Sequence, residues 1–270
     1  MPLDSYQQSA GDLFGASYDR DEIPKEIEDL KQRGALFVIN HSGGKDSQAM
    51  AGYLRWLGIP DDQLVVVHAD LGEIEWPGNV EHIRATVPAS IDQYVVSAKK
   101  SFWDMVNLRQ MFPDVRYRQC TSDLKRGPIE KAVRRYLKQN PRFNGMVVNC
   151  MGLRGQESPA RAKRCVFQKN LRNSKAGRCW YDWLPIHGWS LEEVWDFIDL
   201  IEQKPHPIYA EGMSRLSCSF CIMASMHDLI TAARLRPDLY RLYVLKEREL
   251  NHTLSMSGRT LEELTGIYID

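Results

Sequence analysis

A glycine loop between an apolar run and a helical pattern is the feature that most constrains the fold of this chain. Residues 42–47 read Ser-Gly-Gly-Lys-Asp-Ser; they follow the apolar run at 35–39 and precede a helical pattern that begins at Ala49. Adjacent glycines let the backbone turn tightly and approach a ligand without a Cβ in the way. The helix start adds unpaired backbone N–H groups and the positive end of its dipole. The order of strand, loop and helix therefore predicts an anion site, for which phosphate is the usual ligand.

The loop differs from two common nucleotide-binding motifs. The nucleotide-triphosphatase loop needs a glycine, four further residues and then Gly-Lys-Ser/Thr, whereas Gly43 and Gly44 are adjacent here. The dinucleotide fingerprint Gly-x-Gly-x-x-Gly is missing as well. The side chains still suit phosphate, since Ser42 and Ser47 offer hydroxyl donors and Lys45 offers a cation. The alternative is an ordinary glycine turn between a strand and a helix.

Strand and helix patterns alternate and predict an α/β fold with a doubly wound parallel sheet and a C-terminal helical extension. Expected strands lie at 36–40, 64–68, 93–96 and 146–149, and a short extended piece lies at 183–186. Expected helices lie at 23–32, 79–86, 102–111, 128–137, 190–198 and 227–264. We expect a polar N-terminal segment and helix at 1–32, a nucleotide-binding domain at 33–200, and a Cys-x-x-Cys loop with helices at 201–270.

Composition favours a globular enzyme or binding protein and argues against a membrane protein. The chain has 270 residues, of which 43% are hydrophobic and 26% charged, as in ordinary globular proteins. The sequence contains no apolar run long enough to span a bilayer, and its first residues do not form a basic-then-apolar leader. We therefore expect a cytoplasmic protein, and we also expect a homo-oligomer.

Charge is balanced overall but concentrated locally. Lysine plus arginine and aspartate plus glutamate each number 35, so no global field draws the chain to nucleic acid. Eight basic residues and one glutamate lie within 154–178, and a second basic cluster runs through 116–135. Such clusters suggest an anionic ligand larger than one phosphate, and the alternative is a solvated helix face.

The loop resembles the Ser-Gly-Gly-x-Asp-Ser signature of the PP-loop ATP pyrophosphatase superfamily. Further segments resemble the phosphoadenosine phosphosulfate (PAPS) reductase family in that family's own order. They are His68-Ala69-Asp70-Leu71-Gly72, Gly152-Leu153-Arg154 with Arg161, Pro185-Ile186, Pro207-Ile208-Tyr209 with Gly212, and Cys218-x-x-Cys221. The resemblance implies that the loop grips the β- and γ-phosphates of ATP and that adenine lies near His68 and Asp70.

The chemistry implied by this resemblance is pyrophosphate release with transfer of the adenylyl group. Backbone N–H groups and Lys45 would neutralise the leaving phosphates. Asp46 either helps to hold Mg²⁺ or stabilises the helix start. Arg154 follows a strand end, where ligands collect in open α/β sheets, and it could clamp the α-phosphate or an anionic acceptor together with Arg161. Gly152 completes this motif.

Six cysteines do not suggest a disulfide framework in a chain of this size. Cys218 and Cys221 have metal-ligand spacing, and Cys120 resembles the cysteine of the iron–sulfur members of the family. A [4Fe-4S] cluster would then take these three thiols, with Cys150 preferred as the fourth ligand. Zinc and a pair of buried cysteines stay open as alternatives.

Three functions follow from the resemblance and its one departure. Assimilatory reductases of the family end in a Glu-Cys-Gly-(Ile/Leu)-His tail, whereas residues 260–270 contain no cysteine. The first expectation is therefore an ATP-cleaving enzyme that adenylylates an acceptor in a thiolation or sulfur-transfer reaction, with tRNA or DNA among the candidate acceptors and a sulfur-donor protein as partner. The second is a sulfonucleotide reductase that releases sulfite from PAPS with a thioredoxin-like partner. The third is a nucleotide-sensing or nucleic-acid-binding subunit without independent turnover.

Overall fold

A computed structural model describes residues 23–270, and it confirms the predicted α/β class with a mostly parallel sheet. The strands are β1 (Leu36–Asn40), β2 (Leu64–Ala69), β3 (Asp92–Val96), β4 (Met146–Met151), β5 (Phe167–Lys169) and β6 (Cys179–Trp183), in the sheet order β3-β2-β1-β4-β6-β5. Strand β1 runs parallel to β2 and β4, and β4 runs parallel to β6. The edge strand β5 is antiparallel to β6.

Ten α-helices of at least four residues precede, connect or follow these strands within the described residues. They are α1 (Lys25–Gln32), α2 (Lys45–Trp56), α3 (Asn79–Thr86), α4 (Phe102–Arg109), α5 (Gly127–Gln139), α6 (Pro159–Ala162), α7 (Leu191–Leu200), α8 (Met226–Leu235), α9 (Pro237–Leu250) and α10 (Leu261–Thr265). A helical turn, Gln119–Thr121, and a π-helical stretch, Ser122–Arg126, lead into α5. None of the helices in residues 23–270 has the length and hydropathy that crossing a membrane requires.

The described chain divides into two compact units that interleave along the sequence. Unit 1 contains residues 23–67 together with 83–94 and 133–205, and unit 2 contains 68–82, 95–132 and 206–270. Each unit has its own hydrophobic core.

The core of unit 1 lies between the central strands and the helices α2 and α7. Residues Leu36–Ile39 of β1 are completely buried, as expected for a parallel strand that is covered on both faces. Tyr53 of α2 packs edge-on against Trp189 and Phe197, with ring centroids 4.8 and 5.9 Å apart. These contacts hold the helix that follows the glycine loop against the sheet.

The core of unit 2 is rich in aromatic side chains. The ring of Tyr243 on α9 lies 5.0 Å from that of Phe220 and 4.7 Å from that of Trp103. The buried carboxylate of Glu247 accepts the backbone N–H groups of Leu254 and Leu261 at 2.7 and 2.8 Å. Glu247 therefore ties the segment between α9 and α10 to the core.

Three local expectations are corrected by the structure. The basic segment before residue 179 contains the short strand β5, for which no strand was expected. The extended piece expected at 183–186 is wrong except for Trp183, because β6 covers Cys179–Trp183 and a turn follows it. The helical stretch expected at 227–264 is three helices, because Pro237 starts a new helix and Asn251 ends it in the left-handed conformation at φ 46°. By contrast, the capping box of Ser190 and Glu193 at α7 is confirmed.

Candidate functional site

The glycine loop is closed by its own side chains. Gly43 has φ +81°, which favours glycine, and its N–H donates to His41 Nδ1 at 3.0 Å. Ser47 Oγ accepts the N–H of Ser42 at 3.1 Å and donates to the carbonyl oxygen of Gly44 at 2.8 Å. Helix α2 begins after Gly44 without a side-chain hydrogen bond at its N-cap. A helix start without a side-chain cap is a usual place for an anion to bind.

Two buried cations meet one carboxylate at this helix start. Lys45 and Arg154 are each only 5% exposed. Arg154 Nε donates to Asp46 Oδ1 at 2.6 Å, and Lys45 Nζ lies 3.5 Å from Asp46 Oδ2. Arg154 Nη1 also donates to Gln156 Oε1 at 2.8 Å. Asp46 thereby fixes both cations at the first turn of α2, where the helix dipole adds further positive potential.

The approach of Gly152 to the loop follows from the strand register. Asn40, the last residue of β1, pairs with Met151, the last residue of β4, so the following loops emerge side by side. A Cβ on Gly152 would lie 2.8 Å from the carbonyl oxygen of Asp46 and 3.1 Å from the nitrogen of Ser47. A glycine is therefore required at position 152 by the backbone of the loop.

Arg161 joins this group through Glu157. The carboxylate of Glu157 accepts the backbone N–H of Arg154 at 3.0 Å and forms an ion pair with the guanidinium of Arg161. Ser158 caps α6 and accepts the N–H of Arg161 at 3.2 Å. The structure thus brings together the predicted residues of the glycine loop, Gly152, Arg154 and Arg161 in unit 1.

A cavity of about 490 Å³ is lined by residues that contact these cations, although the cations themselves do not line it and its lining includes the carboxylates of Glu192 and Asp196. Its walls include Gln156, which holds Arg154, and Trp195 on α7. The Nζ atom of Lys45 lies 5.8 Å from the centroid of the Trp195 ring. The cavity therefore combines an apolar wall with two carboxylates, and it is connected to the helix start only through Gln156 and Trp195.

His68 and Asp70 belong to unit 2, where both have protein partners. His68 is buried and its Nε2 lies 3.0 Å from Glu75 Oε2. Asp70 Oδ1 accepts the N–H of Gly72 at 2.7 Å and so stabilises the turn that follows β2. Their role in adenine binding stays a prediction.

Three of the four predicted ligand cysteines lie in unit 2, around Lys125. Burial raises the pKa of Cys218 to about 12 and also raises the pKa of Cys120. Burial acts to lower the pKa of Lys125, yet its net shift is upward because Cys218 and Glu75 lie close to the ammonium group. In the absence of a ligand, these two thiols are therefore protonated at neutral pH.

The fourth predicted ligand, Cys150, lies in the core of unit 1. Its side chain is completely buried, its Sγ lies 3.6 Å from the carbonyl oxygen of Val148, and burial raises its pKa far above the usual range. Across residues 23–270, no three side chains of His, Cys, Asp or Glu converge as ligands of one ion. The ligand set of Cys120, Cys218, Cys221 and Cys150 therefore stays a prediction.

Sequence reasoning missed several residues that shape the site. His41 directly follows β1 and accepts the N–H of Gly43, and its place at a strand end was the available signal. A polar chain also crosses three strands: Asn40 Nδ2 donates to Asn149 Oδ1 at 2.7 Å, and Asn149 Nδ2 donates to Asp182 Oδ1 at 2.8 Å. This chain depends on the register of β1, β4 and β6, which no local pattern reveals.

Comparison with known proteins gives one family. The phosphoadenosine phosphosulfate reductase domain matches residues 37–224. A 37.8 kDa protein of Escherichia phage 186 is 30% identical over 128 residues, which cover 47% of this chain and only 36% of the phage protein. The adenosine 5'-phosphosulfate reductase of Staphylococcus haemolyticus is 23% identical over 230 residues, which cover 82% of this chain and 86% of that enzyme. Among solved structures, Candida glabrata FMN adenylyltransferase with FMN and an ATP analogue is 16% identical with a TM-score of 0.46, over 79% of this chain and 69% of that one.

Proposed function

Because the chain belongs to the phosphoadenosine phosphosulfate reductase family of adenine nucleotide alpha hydrolases, we propose that it cleaves ATP to pyrophosphate and adenylylates an acceptor in a sulfur-related modification. The observation that carries this proposal is the helix start at Gly44, which lacks a side-chain cap and lies among the buried cations Lys45 and Arg154. A polyphosphate matches such a site because it offers several anionic oxygens to backbone donors and cations together.

The proposed step is a displacement at the α-phosphate. A nucleophilic atom of the acceptor forms a bond to the α-phosphorus, and the bond from that phosphorus to the bridging oxygen of the β-phosphate breaks. The electron pair leaves with pyrophosphate, and the proton of the acceptor passes to solvent. Lys45 and the first N–H groups of α2 stabilise the charge that develops on the leaving group. Arg154 is oriented by Asp46 to bind the α-phosphate.

Magnesium is the metal that this reaction class implies, and Asp46 is the carboxylate of the site that would hold it. Asp46 keeps a side chain that is 21% exposed, although both of its oxygens already face cations. One carboxylate, waters and phosphate oxygens are a ligand set that Mg²⁺ commonly accepts. When bound, the ion would neutralise charge on the transferring phosphates.

A second candidate function is sulfonucleotide reduction, and the Staphylococcus haemolyticus relative favours it. In this reaction the sulfur of PAPS or its dephosphorylated analogue accepts two electrons from a dithiol, which becomes a disulfide. Sulfite and the adenosine phosphate are released. The same loop would bind the nucleotide, so the two candidates differ in their products rather than in their site.

One experiment separates the candidates. Protein purified without oxygen is incubated with Mg²⁺ and either ATP or PAPS plus a dithiol, and pyrophosphate and sulfite are assayed in parallel. We expect pyrophosphate from ATP, with water taking the adenylyl group as AMP when no other acceptor is present. We expect Lys45→Met to lower pyrophosphate release by about 100-fold because a donor to the developing charge is lost. Lys138→Met, at an exposed position of α5, is the matched control and should not change the rate. Sulfite instead of pyrophosphate establishes the reductase. If neither pyrophosphate nor sulfite forms, both candidate reactions are contradicted and a binding subunit is left.

A further inference from the structure

Unit 2 contains a cavity of about 570 Å³ that none of the glycine-loop residues lines. It lies among the segment after β3, the helix α4 and the helical stretch before α5. Its apolar wall includes Met105 and Leu124, which are 6% and 3% exposed, and Leu108, which is 70% exposed. The volume is in the range of sites that take a nucleotide-sized ligand.

Three cations line the same cavity. They are Lys99, Lys100 and Arg109, and all three are exposed. Within the part of the chain that the structure describes, none of them forms an ion pair or a side-chain hydrogen bond, and Lys100 acts only at a distance on Asp104. The one carboxylate of the lining is Asp123, which accepts the hydroxyl of Ser122 at 2.7 Å. The cavity therefore combines an apolar wall with a positive rim.

The positive surface continues along the chain beside the cavity. Asp114 Oδ1 accepts the backbone N–H groups of Arg116 and Tyr117 at 2.6 and 2.5 Å, and this turn presents their side chains outward. Tyr117 is 67% exposed between Arg116 and Arg118, and Arg118 precedes Gln119, a residue of the cavity lining. An exposed aromatic ring between two arginines offers a stacking face beside two cations.

We propose that this surface of unit 2, formed by the cavity and the segment 116–118, binds single-stranded nucleic acid. Strand-binding surfaces combine cations that follow the phosphodiesters with apolar and aromatic side chains on which bases stack. Lys99, Lys100 and Arg109 contact phosphates, the apolar wall takes a base, and Tyr117 stacks on a neighbouring base. A free mononucleotide would leave Arg116, Arg118 and Tyr117 without a role. The binding of single-stranded nucleic acid does not depend on the proposed function. Its role as the acceptor of the adenylyl group does rest on the proposed function.

The test is fluorescence anisotropy with labelled oligo-dT and oligo-U of about 20 nucleotides, which exceeds the usual site size of one such domain. The neutral variant Lys99→Gln/Lys100→Gln/Arg109→Gln removes three cations of the cavity. The matched control Lys163→Gln/Arg164→Gln/Lys169→Gln removes three exposed cations of the other basic cluster, in unit 1. We expect the cavity variant to lose about 100-fold in affinity in about 0.1 M salt, and its plot of log K against log salt to be less steep by about 2. The control should change both quantities little.

Tyr117→Ala tests stacking separately from charge. It should weaken binding by about 5- to 100-fold without changing the salt dependence, because stacking is largely independent of counterion release. Circular dichroism and thermal unfolding of each variant confirm that these exposed substitutions leave the fold intact. A duplex of the same length and a mononucleotide complete the set of ligands.

Four results would overturn the assignment: no saturable binding of either oligonucleotide, equal losses in the cavity variant and the control, equal affinity for the duplex, or equal affinity for the mononucleotide. Basal ATP cleavage is measured on the same variants without nucleic acid and should be unchanged, since none of the altered residues belongs to the loop. Strand binding without pyrophosphate release would contradict the proposed function alone. Pyrophosphate release without strand binding would contradict this assignment alone.

Discussion

The substitution Gly152→Ala tests the close approach of the two loops in unit 1. The added Cβ would lie 2.8 and 2.9 Å from the carbonyl oxygen and carbon of Asp46, and 3.1 Å from the nitrogen of Ser47. These atoms are backbone, so they cannot rotate away as a flexible side chain would. Overpacking of this kind costs about 1–3 kcal/mol of unfolding free energy. For a chain of this size, that corresponds to a melting temperature lower by about 2–5 °C.

The added Cβ should also displace the loop backbone and thereby lower the rate of the proposed reaction. Moving the first turn of α2 shifts Lys45 and Asp46 relative to a bound nucleotide, and a misplacement approaching 1 Å can lower a rate by about 100-fold. Calorimetric unfolding measures the stability change, and titration calorimetry with ATP measures the change in binding. The matched control is Gly188→Ala, because a Cβ there has no atom within 4 Å and the residue has no positive φ.

We expect Gly188→Ala to leave the unfolding free energy within about 0.5 kcal/mol of the wild type. Equal melting temperatures for Gly152→Ala and Gly188→Ala would refute the close approach itself. If Gly152→Ala lowers the melting temperature but leaves the ATP affinity unchanged, the close approach of the loops is supported and the assignment of the Ser42–Ser47 loop as the nucleotide site is refuted.

Three further predictions concern ionisation, a buried carboxylate and thiol reactivity. Burial and the neighbouring His206 lower the pKa of His82 from 6.5 to about 4. On acidification, the unfolded chain therefore binds a proton at this histidine at a higher pH than the native state does. Stability should be complete above pH 6.5 and fall by about 1–2 kcal/mol toward pH 4; urea unfolding of the wild type and His82→Gln measures this difference, and identical pH profiles would contradict it. Glu247→Ala leaves two buried backbone N–H donors without acceptors and should lower the unfolding free energy in urea by about 2–4 kcal/mol, whereas an unchanged midpoint would show that the donors find other partners. Peptide mass spectrometry after brief iodoacetamide treatment should find the exposed Cys165 modified at least about 100-fold faster than the buried Cys150, and equal rates would contradict the burial of Cys150.

The local part of the fold was predictable from the sequence. The apolar run of β1, the adjacent glycines and the pattern of α2 lie next to one another, so backbone preferences alone identify strand, loop and helix. The capping box of Ser190 and Glu193 is equally local. Strand β6 was misplaced because its aromatic run follows a basic segment and extends only five residues. Periodicity over so few residues does not separate a strand from a loop.

The assembled site was less accessible to sequence reasoning. Arg154 and Asp46 are separated by 108 residues, and their 2.6 Å contact depends on the parallel pairing of β1 with β4. The family resemblance predicted that both residues belong to the site, but it did not predict the ion pair between them. The lining of the unit 2 cavity comes from three segments, 98–100, 105–109 and 119–124, of which the first two supply its cations. No short stretch of sequence therefore contains the whole cavity.

Separation of the nucleotides formed from ATP shows directly whether the Ser42–Ser47 loop supports cleavage at the α-phosphate. Protein purified without oxygen is incubated with Mg²⁺ and ATP, with and without single-stranded nucleic acid, and the products are resolved by chromatography. We expect pyrophosphate together with AMP or an adenylylated acceptor, and a loss of both products in Lys45→Met but not in Lys138→Met. Formation of ADP and phosphate, or equal pyrophosphate release by the wild type and Lys45→Met, would contradict cleavage at the α-phosphate in the Ser42–Ser47 loop.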